Sequence, residues 1–301
     1  MKSFNRWKND SLSNKVFDVI NYTILLLAVI VCLYPLYYIV IVSFSSQVTG
    51  VYFAPVEPSL DAFKLVLEDE KIWIGYGNTI FYTVVGTICN LLVTLPCAYS
   101  LSRKDFVGRG IVTAFIMVTM FISGGLVPSY LNISRMGLID SRLVIILIGL
   151  TSAYNIVVSR TFFATSIPGE LLEAAKIDGC GNFTFFSRIV IPLSKPIMAV
   201  MALYFGVARW NSYFTEMIYL KDTAKFPLTL FLRRLLSNVK ELQNMISEGL
   251  IEDVSGVMAS MQLATVMQYV LIVVSTVPMM IIYPYMQKYF AKGVMIGSVK
   301  G

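Results

Sequence analysis

Long apolar runs separated by polar segments dominate the 301-residue chain. A helix needs about 20 mostly apolar residues to cross the hydrocarbon core of a bilayer. Six segments approach or exceed this length, so the pattern predicts an all-α polytopic membrane protein with six transmembrane helices. The predicted spans are residues 17–44, 79–101, 111–131, 143–161, 196–220 and 263–285.

Composition and charge support a membrane location and indicate an orientation. Hydrophobic residues make up 56% of the chain and charged residues 14%, whereas a soluble domain carries about 25% charged residues. Most Lys and Arg residues fall on the side that carries the N-terminus, which is therefore predicted to be cytoplasmic, like the C-terminus. The same rule explains the net charge of +6 without nucleic acid. Residues 1–301 are expected to form a single transmembrane domain.

The sequence offers no catalytic, cofactor or metal site of a familiar kind. The chain contains no His and only four Cys residues, so neither a Ser/His/Asp set nor a His-containing zinc site is available. No segment follows the G-x-x-x-x-G-K-[ST] pattern that cradles nucleotide phosphates. Any ATP-driven process must therefore draw its energy from a separate protein.

The largest predicted cytoplasmic loop, residues 162–195, has the pattern of two short helices. Pro168 suits a first helical turn and Gly179 suits a helix end, so about 10 residues between them are predicted to be helical. A second amphipathic stretch follows, whose apolar positions are Phe183, Phe186 and Ile189. Two interpretations stay open: a helix pair on lipid headgroups, or a docking element for a cytoplasmic partner.

One motif in this loop is more specific than its periodicity. Glu173-Ala174-Ala175, followed by Gly179 and then by Ile191-Pro192, resembles the EAA loop of binding-protein-dependent ABC importer permeases. We therefore call residues 162–195 the EAA loop. Four further segments resemble the sugar-importer branch, in particular the MalG-like permeases of the LplC and YtcP kind: residues 98–103, 123–131, 210–214 and 287–301. The resemblance covers nearly the whole chain.

The resemblance implies the type I ABC importer permease fold, in a bacterial plasma membrane, as half of a sugar translocation pathway. The EAA loop would form cytoplasmic coupling helices that sit in a cleft of an ATPase subunit. The implied ATPase-coupling residues are Glu173, Ala174, Ala175, Asp178, Gly179, Ile191 and Pro192. The implied partners are a second six-span permease, two ATPase subunits that carry ATP and Mg, an extracytoplasmic sugar-binding protein and membrane lipid. The chain itself would bind no cofactor and would not be an enzyme.

Polar residues inside the fifth predicted span are a second candidate site, because charged groups at bilayer depth usually face a cavity or a partner. Helical spacing places Arg209, Tyr213 and Glu216 on one face, whereas Trp210 and Asn211 point elsewhere. The fifth span is thus predicted to line either the translocation pathway or the permease–permease interface. These five residues are the candidates for the pathway, since aromatic rings and amides suit sugars. An internal Arg209–Glu216 pair that stabilises packing is an equal alternative.

Other functions also stay open at this point. An ABC importer for a non-sugar solute fits the EAA motif equally well. An ion-driven secondary transporter would want intramembrane carboxylates, for which Glu216 is the clear candidate. A purely structural membrane protein would need no EAA loop. Single intramembrane amides such as Asn90 more often bond between helices than bind ligands.

Overall fold

The computed structural model describes residues 11–48, 50, 53–249 and 254–297, and these residues are mostly helical. The helices are α1 (Leu12–Ser43), α2 (Asp61–Glu68), α3 (Glu70–Ser102), α4 (Arg109–Val118), α5 (Leu126–Arg135), α6 (Arg142–Leu147), α7 (Ala153–Ser166), α8 (Gly169–Ile177), α9 (Asn182–Leu193), α10 (Lys195–Trp210), α11 (Phe214–Tyr219), α12 (Leu228–Ser247) and α13 (Val254–Gly297). Over the described ranges, extended pairing is limited to one isolated bridge between Ser45 and Pro58. The all-α prediction is confirmed for these residues.

Among the described residues, three helices are long and apolar enough to cross a membrane: α1, α3 and the Gly256–Pro284 part of α13. They coincide with the first, second and sixth predicted spans. Helix α3 begins well before the predicted residue 79, because Asp69 caps it by accepting a hydrogen bond from the Lys71 amide. The helix thus continues through a polar turn that an apolar window leaves out.

The third, fourth and fifth predicted spans are interrupted rather than continuous helices. Segment 111–131 is divided between α4 and α5, 143–161 between α6 and α7, and 196–220 between α10 and α11. A further helix pair, α9 and α10, would satisfy the length requirement together but is bent by 82°. In the described part of the chain three helices, or four with this pair, meet the requirement, so the count of six stays a prediction.

Two of the interruptions contain a glycine with a positive φ. Gly125 has φ of +83° and Gly149 has φ of +74°, values that side chains with a Cβ rarely adopt. The third interruption follows Trp210, where the backbone carbonyl of Ser212 accepts a hydrogen bond from Thr229 Oγ1 instead of a helical amide. A hydropathy average does not detect such local changes of the backbone.

Backbone contacts divide the chain into two compact units. The first contains residues 1–68 and 235–274. In it, most apolar side chains of α1 are exposed, as expected for a helix solvated by lipid. Tyr37 Oη donates to the Phe53 carbonyl at 2.7 Å, and the Tyr38 ring meets Tyr269 edge to face at 6.1 Å. These contacts fix the C-terminal end of α1.

The second unit contains residues 69–234 and 275–301. Helix α3 is its axis and packs most extensively on α7 and α10. One apolar cluster surrounds the C-terminal half of α3 and includes Tyr99, Phe163 and Phe185. A second cluster surrounds its N-terminal half and includes Tyr82 and Phe226. The EAA loop and the polar residues of the fifth predicted span both belong to this unit.

Candidate functional site

The EAA loop folds into two short helices joined by a tight turn at Gly179. Helix α8 ends at Ile177, the Gly179 amide bonds to the Lys176 carbonyl at 3.1 Å, and the Cys180 amide bonds to the Ala175 carbonyl at 2.8 Å. This pair of bonds is the Schellman motif, which requires a left-handed residue at the turn. Gly179 meets the requirement with φ of +73°. The predicted short helix and its glycine stop are both present.

The outward surface of the turn is apolar at two positions. The side chains of Ile177 and Phe183 are 87% and 81% exposed. Glu173, Ala174 and Asp178 are exposed as well. Large apolar side chains grouped at the tip of a loop are typical of a surface that contacts lipid or another protein.

The inward surface of the loop is packed firmly against α3. Ala175 and Phe185 are buried, and the Tyr99 ring lies 5.1 Å from the Phe186 ring and 5.8 Å from the Phe163 ring. Aromatic pairs at such spacings stabilise packing beyond their buried area. The tip of the loop is therefore exposed on a rigid base.

Ile191 and Pro192 lie near the end of α9. A π-helical turn over Phe186–Val190 directly precedes them, because Pro192 has no N–H to donate to the preceding turn. Helix α9 ends at Leu193, and the chain turns by 82° at the buried Ser194 into α10. Ile191 is half-buried and Pro192 is exposed. These two residues thus mark the bend between the loop and the fifth predicted span.

A charge cluster joins the EAA loop to the end of α3. Arg103 donates from Nε to Oδ1 of Asp105 at 2.8 Å and from Nη1 to Oδ1 of Asn182 at 2.9 Å. Lys176 Nζ lies 3.2 Å from Oδ2 of the same Asp105. Hydrogen bonds from Arg103, followed by those from Lys176, hold the pKa of Asp105 well below its usual range. No sequence pattern pointed to Asp105, because its partner Lys176 lies 71 residues away in the chain.

Arg209 does not pair with Glu216. Its guanidinium donates to the carbonyl of Ile145, to the carbonyl of Ile146 at 2.9 Å, and to Oδ1 of Asn90 at 3.3 Å. Glu216 is 2% exposed and accepts a hydrogen bond from Ser212 Oγ at 2.8 Å. The alternative of a direct Arg209–Glu216 pair is therefore wrong, although both side chains form hydrogen bonds within the subunit.

Asn90 completes the polar cluster around Arg209. Its Nδ2 donates to the carbonyls of Gly149 and Leu150 at 2.6 and 2.7 Å. The amide thus bonds between helices, as its position in an apolar span predicts. Gly86, one turn earlier on α3, leaves the space for the arginine, since a Cβ there would lie 2.9 Å from Arg209 Nε.

The other candidates from the fifth predicted span differ in exposure. Trp210 is 6% exposed and donates from Nε1 to the Ser275 carbonyl at 3.1 Å. Asn211 is exposed, and Tyr213 is half-buried with the Arg233 guanidinium 5.7 Å from its ring centroid. The break after Trp210 also removes the shared helical face on which Arg209, Tyr213 and Glu216 were grouped. Asn211 and Tyr213 are the members that stay accessible.

A second polar network holds the segment after α11 onto α3. Asp140 Oδ1 accepts from the backbone amides of Lys221 and Asp222, both at 3.0 Å, and Oδ2 lies 3.0 Å from Lys225 Nζ. The two backbone bonds, more than the lysine, lower the pKa of Asp140 to about 2. Asn78 on α3 donates to the carbonyls of Ala224 and Phe226. Sequence reasoning gave no signal for this network.

Comparisons with known proteins show the family to which the chain belongs. The model of the family described as binding-protein-dependent transport system inner membrane component matches residues 72–296, a stretch that includes the EAA loop. The chain belongs to this family. It is thus an integral membrane component of a transport system, and the family resemblance predicted from the sequence is confirmed for the chain.

Individual relatives match over almost their full lengths. The chain is 35% identical to the polygalacturonan/rhamnogalacturonan transport system permease protein YtcP of Bacillus subtilis (strain 168), over 96% of this chain and 100% of YtcP. It is 34% identical to the protein LplC of the same organism, over 97% of this chain and 98% of LplC.

A solved structure agrees with the fold. It belongs to a bacterial ABC transporter involved in the import of the acidic polysaccharide alginate, and matches with a TM-score of 0.80 and 33% identity over 93% of this chain and 99% of that chain. The agreement in backbone extends to nearly all of the chain.

Proposed function

We propose that this chain is the permease subunit of an ABC importer for carbohydrate, and that its EAA loop couples the membrane domain to a separate ATPase. The observation that carries the proposal is the turn at Gly179, which exposes Ile177 and Phe183 on a base packed against α3. Membership of the inner membrane component family supports the same role.

The proposed assembly contains partners that the chain needs for energy and for recognition. A second six-span permease would complete the pathway, two ATPase subunits would bind ATP and Mg, and an extracytoplasmic binding protein would deliver the solute. Both termini and the EAA loop would lie in the cytoplasm, where Glu173 could meet a basic group of the ATPase. Closure of the ATPases would shift the permease pair between inward-facing and outward-facing states.

The solute class we propose is an oligosaccharide, with an acidic one to be tested first. The name of YtcP refers to polygalacturonan and rhamnogalacturonan, and the transporter of the solved structure imports the acidic polysaccharide alginate. Asn211 and Tyr213 supply an exposed amide and a partly exposed ring, the groups that suit sugar recognition. Arg209, Trp210 and Glu216 would support this region from behind, because their polar atoms bond within the subunit.

Co-purification tests the coupling. The permease is expressed with its candidate ATPase and second permease, and wild type is compared with Glu173→Lys. We expect the ATPase to be lost from the Glu173→Lys complex. Glu68→Lys, the same charge change at an exposed position outside the EAA loop, serves as the control and should retain the ATPase. Equal recovery of the ATPase with both variants would contradict the proposed role of the loop.

Uptake by proteoliposomes tests the energy source and the solute. Complexes are supplied with the binding protein and with a uronic-acid oligosaccharide, a neutral oligosaccharide or a non-sugar solute. We expect uptake of the acidic sugar that depends on ATP and survives a protonophore. Uptake that collapses with the proton gradient would instead favour an ion-driven carrier, and uptake of the non-sugar solute alone would reject the carbohydrate assignment.

A further inference from the structure

We propose that Asp105 is a positioning residue that makes α8, α9 and the cytoplasmic end of α3 move as one body during transport. The proposal rests on the proposed function, because it concerns the path by which ATPase motion reaches the membrane helices. Asp105 lies outside the EAA motif, in the segment that follows α3. Its role is thus not implied by the residues that carry the family resemblance.

The geometry places Asp105 at the junction of three elements. Its carboxylate receives two hydrogen bonds from Arg103 at the end of α3, and an ion pair from Lys176 on α8. Arg103 uses its remaining amino group on Asn182, the first residue of α9. The two helices on either side of the Gly179 turn are therefore tied to one side-chain pair, Arg103 and Asp105, just after the end of α3.

The two connections differ in strength. The side chain of Arg103 is 14% exposed and binds the carboxylate with two donors, the arrangement in which charge-assisted bonds are strongest. In the Lys176 pair the two side chains are 53% and 44% exposed, and such pairs contribute little because solvent screens them. Loss of Asp105 should therefore matter more than loss of Lys176.

The charge cluster lies on the open side of the contact between α3 and α9. A groove of about 460 Å³ separates the two helices there, lined by residues that include Pro96 and Tyr99 on α3 and Phe183 on α9. Tyr99 also belongs to the apolar cluster that contains Phe185 of α9. Helix α9 is therefore held on α3 both by this apolar packing and by the Arg103–Asn182 hydrogen bond at the groove.

The position of the charge cluster determines which helices move when a force acts on the EAA loop. A force on the exposed tip at Ile177 acts on α8, and α8 meets the end of α3 through Lys176 and Asp105. Since α3 packs on both α7 and α10, a loop fixed to α3 moves the centre of the bundle. If the loop could pivot freely at Gly179, the ATPases would hydrolyse ATP without moving the centre of the bundle.

The test measures solute transported per ATP hydrolysed by the complete transporter in proteoliposomes. We expect Asp105→Asn to hydrolyse ATP near the wild-type rate while transport per ATP falls about fivefold, the lower end of typical coupling between distant sites. Lys176→Met should give a smaller fall, and Asp105→Glu should restore most of the ratio. Lys104→Gln, a charge change at the exposed neighbouring position, is the matched control and should leave the ratio unchanged.

Two outcomes overturn the proposal. One is a wild-type ratio in Asp105→Asn. The other is an equal loss of ATPase activity and transport, which would indicate damage to assembly rather than to coupling. Either result would leave the proposed function intact, provided that the wild-type complex shows ATP-driven uptake. Failure of the wild type itself to associate with an ATPase would reject the proposed function instead.

Discussion

Arg209 and Asn90 bond to each other and, together, to the carbonyls at the break between α6 and α7. Arg209 binds the carbonyls of residues 145–146, and Asn90 binds those of residues 149–150. The last carbonyls of a helix have no intrahelical donor, and in hydrocarbon each unsatisfied group costs several kcal/mol. The two polar side chains therefore make an interruption tolerable within the fourth predicted span.

Replacing Arg209 with Met should destabilise the subunit rather than alter its solute preference. The change removes donors from two carbonyls and from Asn90, and each buried group left unpaired costs about 1–3 kcal/mol. We expect a lower thermal midpoint of the detergent-purified complex and a lower yield. Arg135→Met, at an exposed arginine, should change neither. An unchanged thermal midpoint combined with lost transport would instead indicate that Arg209 acts in the translocation pathway.

Gly86 should be intolerant of alanine because of the same arginine. A Cβ at this position would lie 2.9 Å from Arg209 Nε, and the guanidinium is fixed by its hydrogen bonds and cannot easily move away. Gly77 is on the same helix and a Cβ there meets nothing within 4 Å, so Gly77→Ala should be neutral or stabilising by about 0.5–1 kcal/mol. Thermal unfolding of the two variants, side by side, measures the difference.

A double variant separates the steric explanation from a general effect of glycine. If Gly86→Ala acts through Arg209, its destabilisation should shrink in the Arg209→Met background, because the clash is then with a side chain free to move. Additive changes of the thermal midpoint would show that the two positions are independent.

The sequence predicts those features of the molecule that depend on local signals. The Gly179 turn is one of them, since a glycine after an amphipathic helix is itself the signal for a helix end. The long helices α1 and α3 are others, since twenty apolar residues are enough to identify them. The EAA loop was accordingly found by motif and by periodicity alike.

The features that sequence reasoning missed depend on contacts between distant residues. Arg209 lies 119 positions from Asn90, and helical spacing pointed instead to Glu216, seven positions away. The break at Gly149 decides the true partners, because it presents backbone carbonyls that a continuous helix would have used. Hydropathy and helical periodicity do not detect such a break. Asp105 was missed because its partner Lys176 is likewise distant in the sequence.

Substitutions at Gly179 should separate backbone conformation from side-chain bulk. A Cβ at this position meets nothing within 4 Å in the subunit, so any effect on the conformation of the subunit itself must come from the φ of +73°. Asn tolerates the left-handed region better than a β-branched residue does. We expect Gly179→Asn to retain most ATP-driven uptake and Gly179→Val to lose it, with both proteins present in the membrane. Equal uptake by the two variants would contradict a conformational requirement.

Asp140 should stabilise the polar network after α11 by the same amount at every pH from 8 to 5. Its backbone hydrogen bonds lower the pKa to about 2 in the folded chain, whereas an unfolded Asp titrates near about 3.9. A depressed pKa contributes stability that is complete above the unfolded value and is lost as pH falls through the folded one. The thermal midpoint of Asp140→Asn should therefore lie below wild type by a constant amount from pH 8 to pH 5, and the gap should narrow only below about pH 4. Glu68→Gln, an exposed acid to neutral change, should follow the wild-type curve throughout. A gap that closed between pH 7 and pH 5 would assign the stabilisation to a group other than this carboxylate.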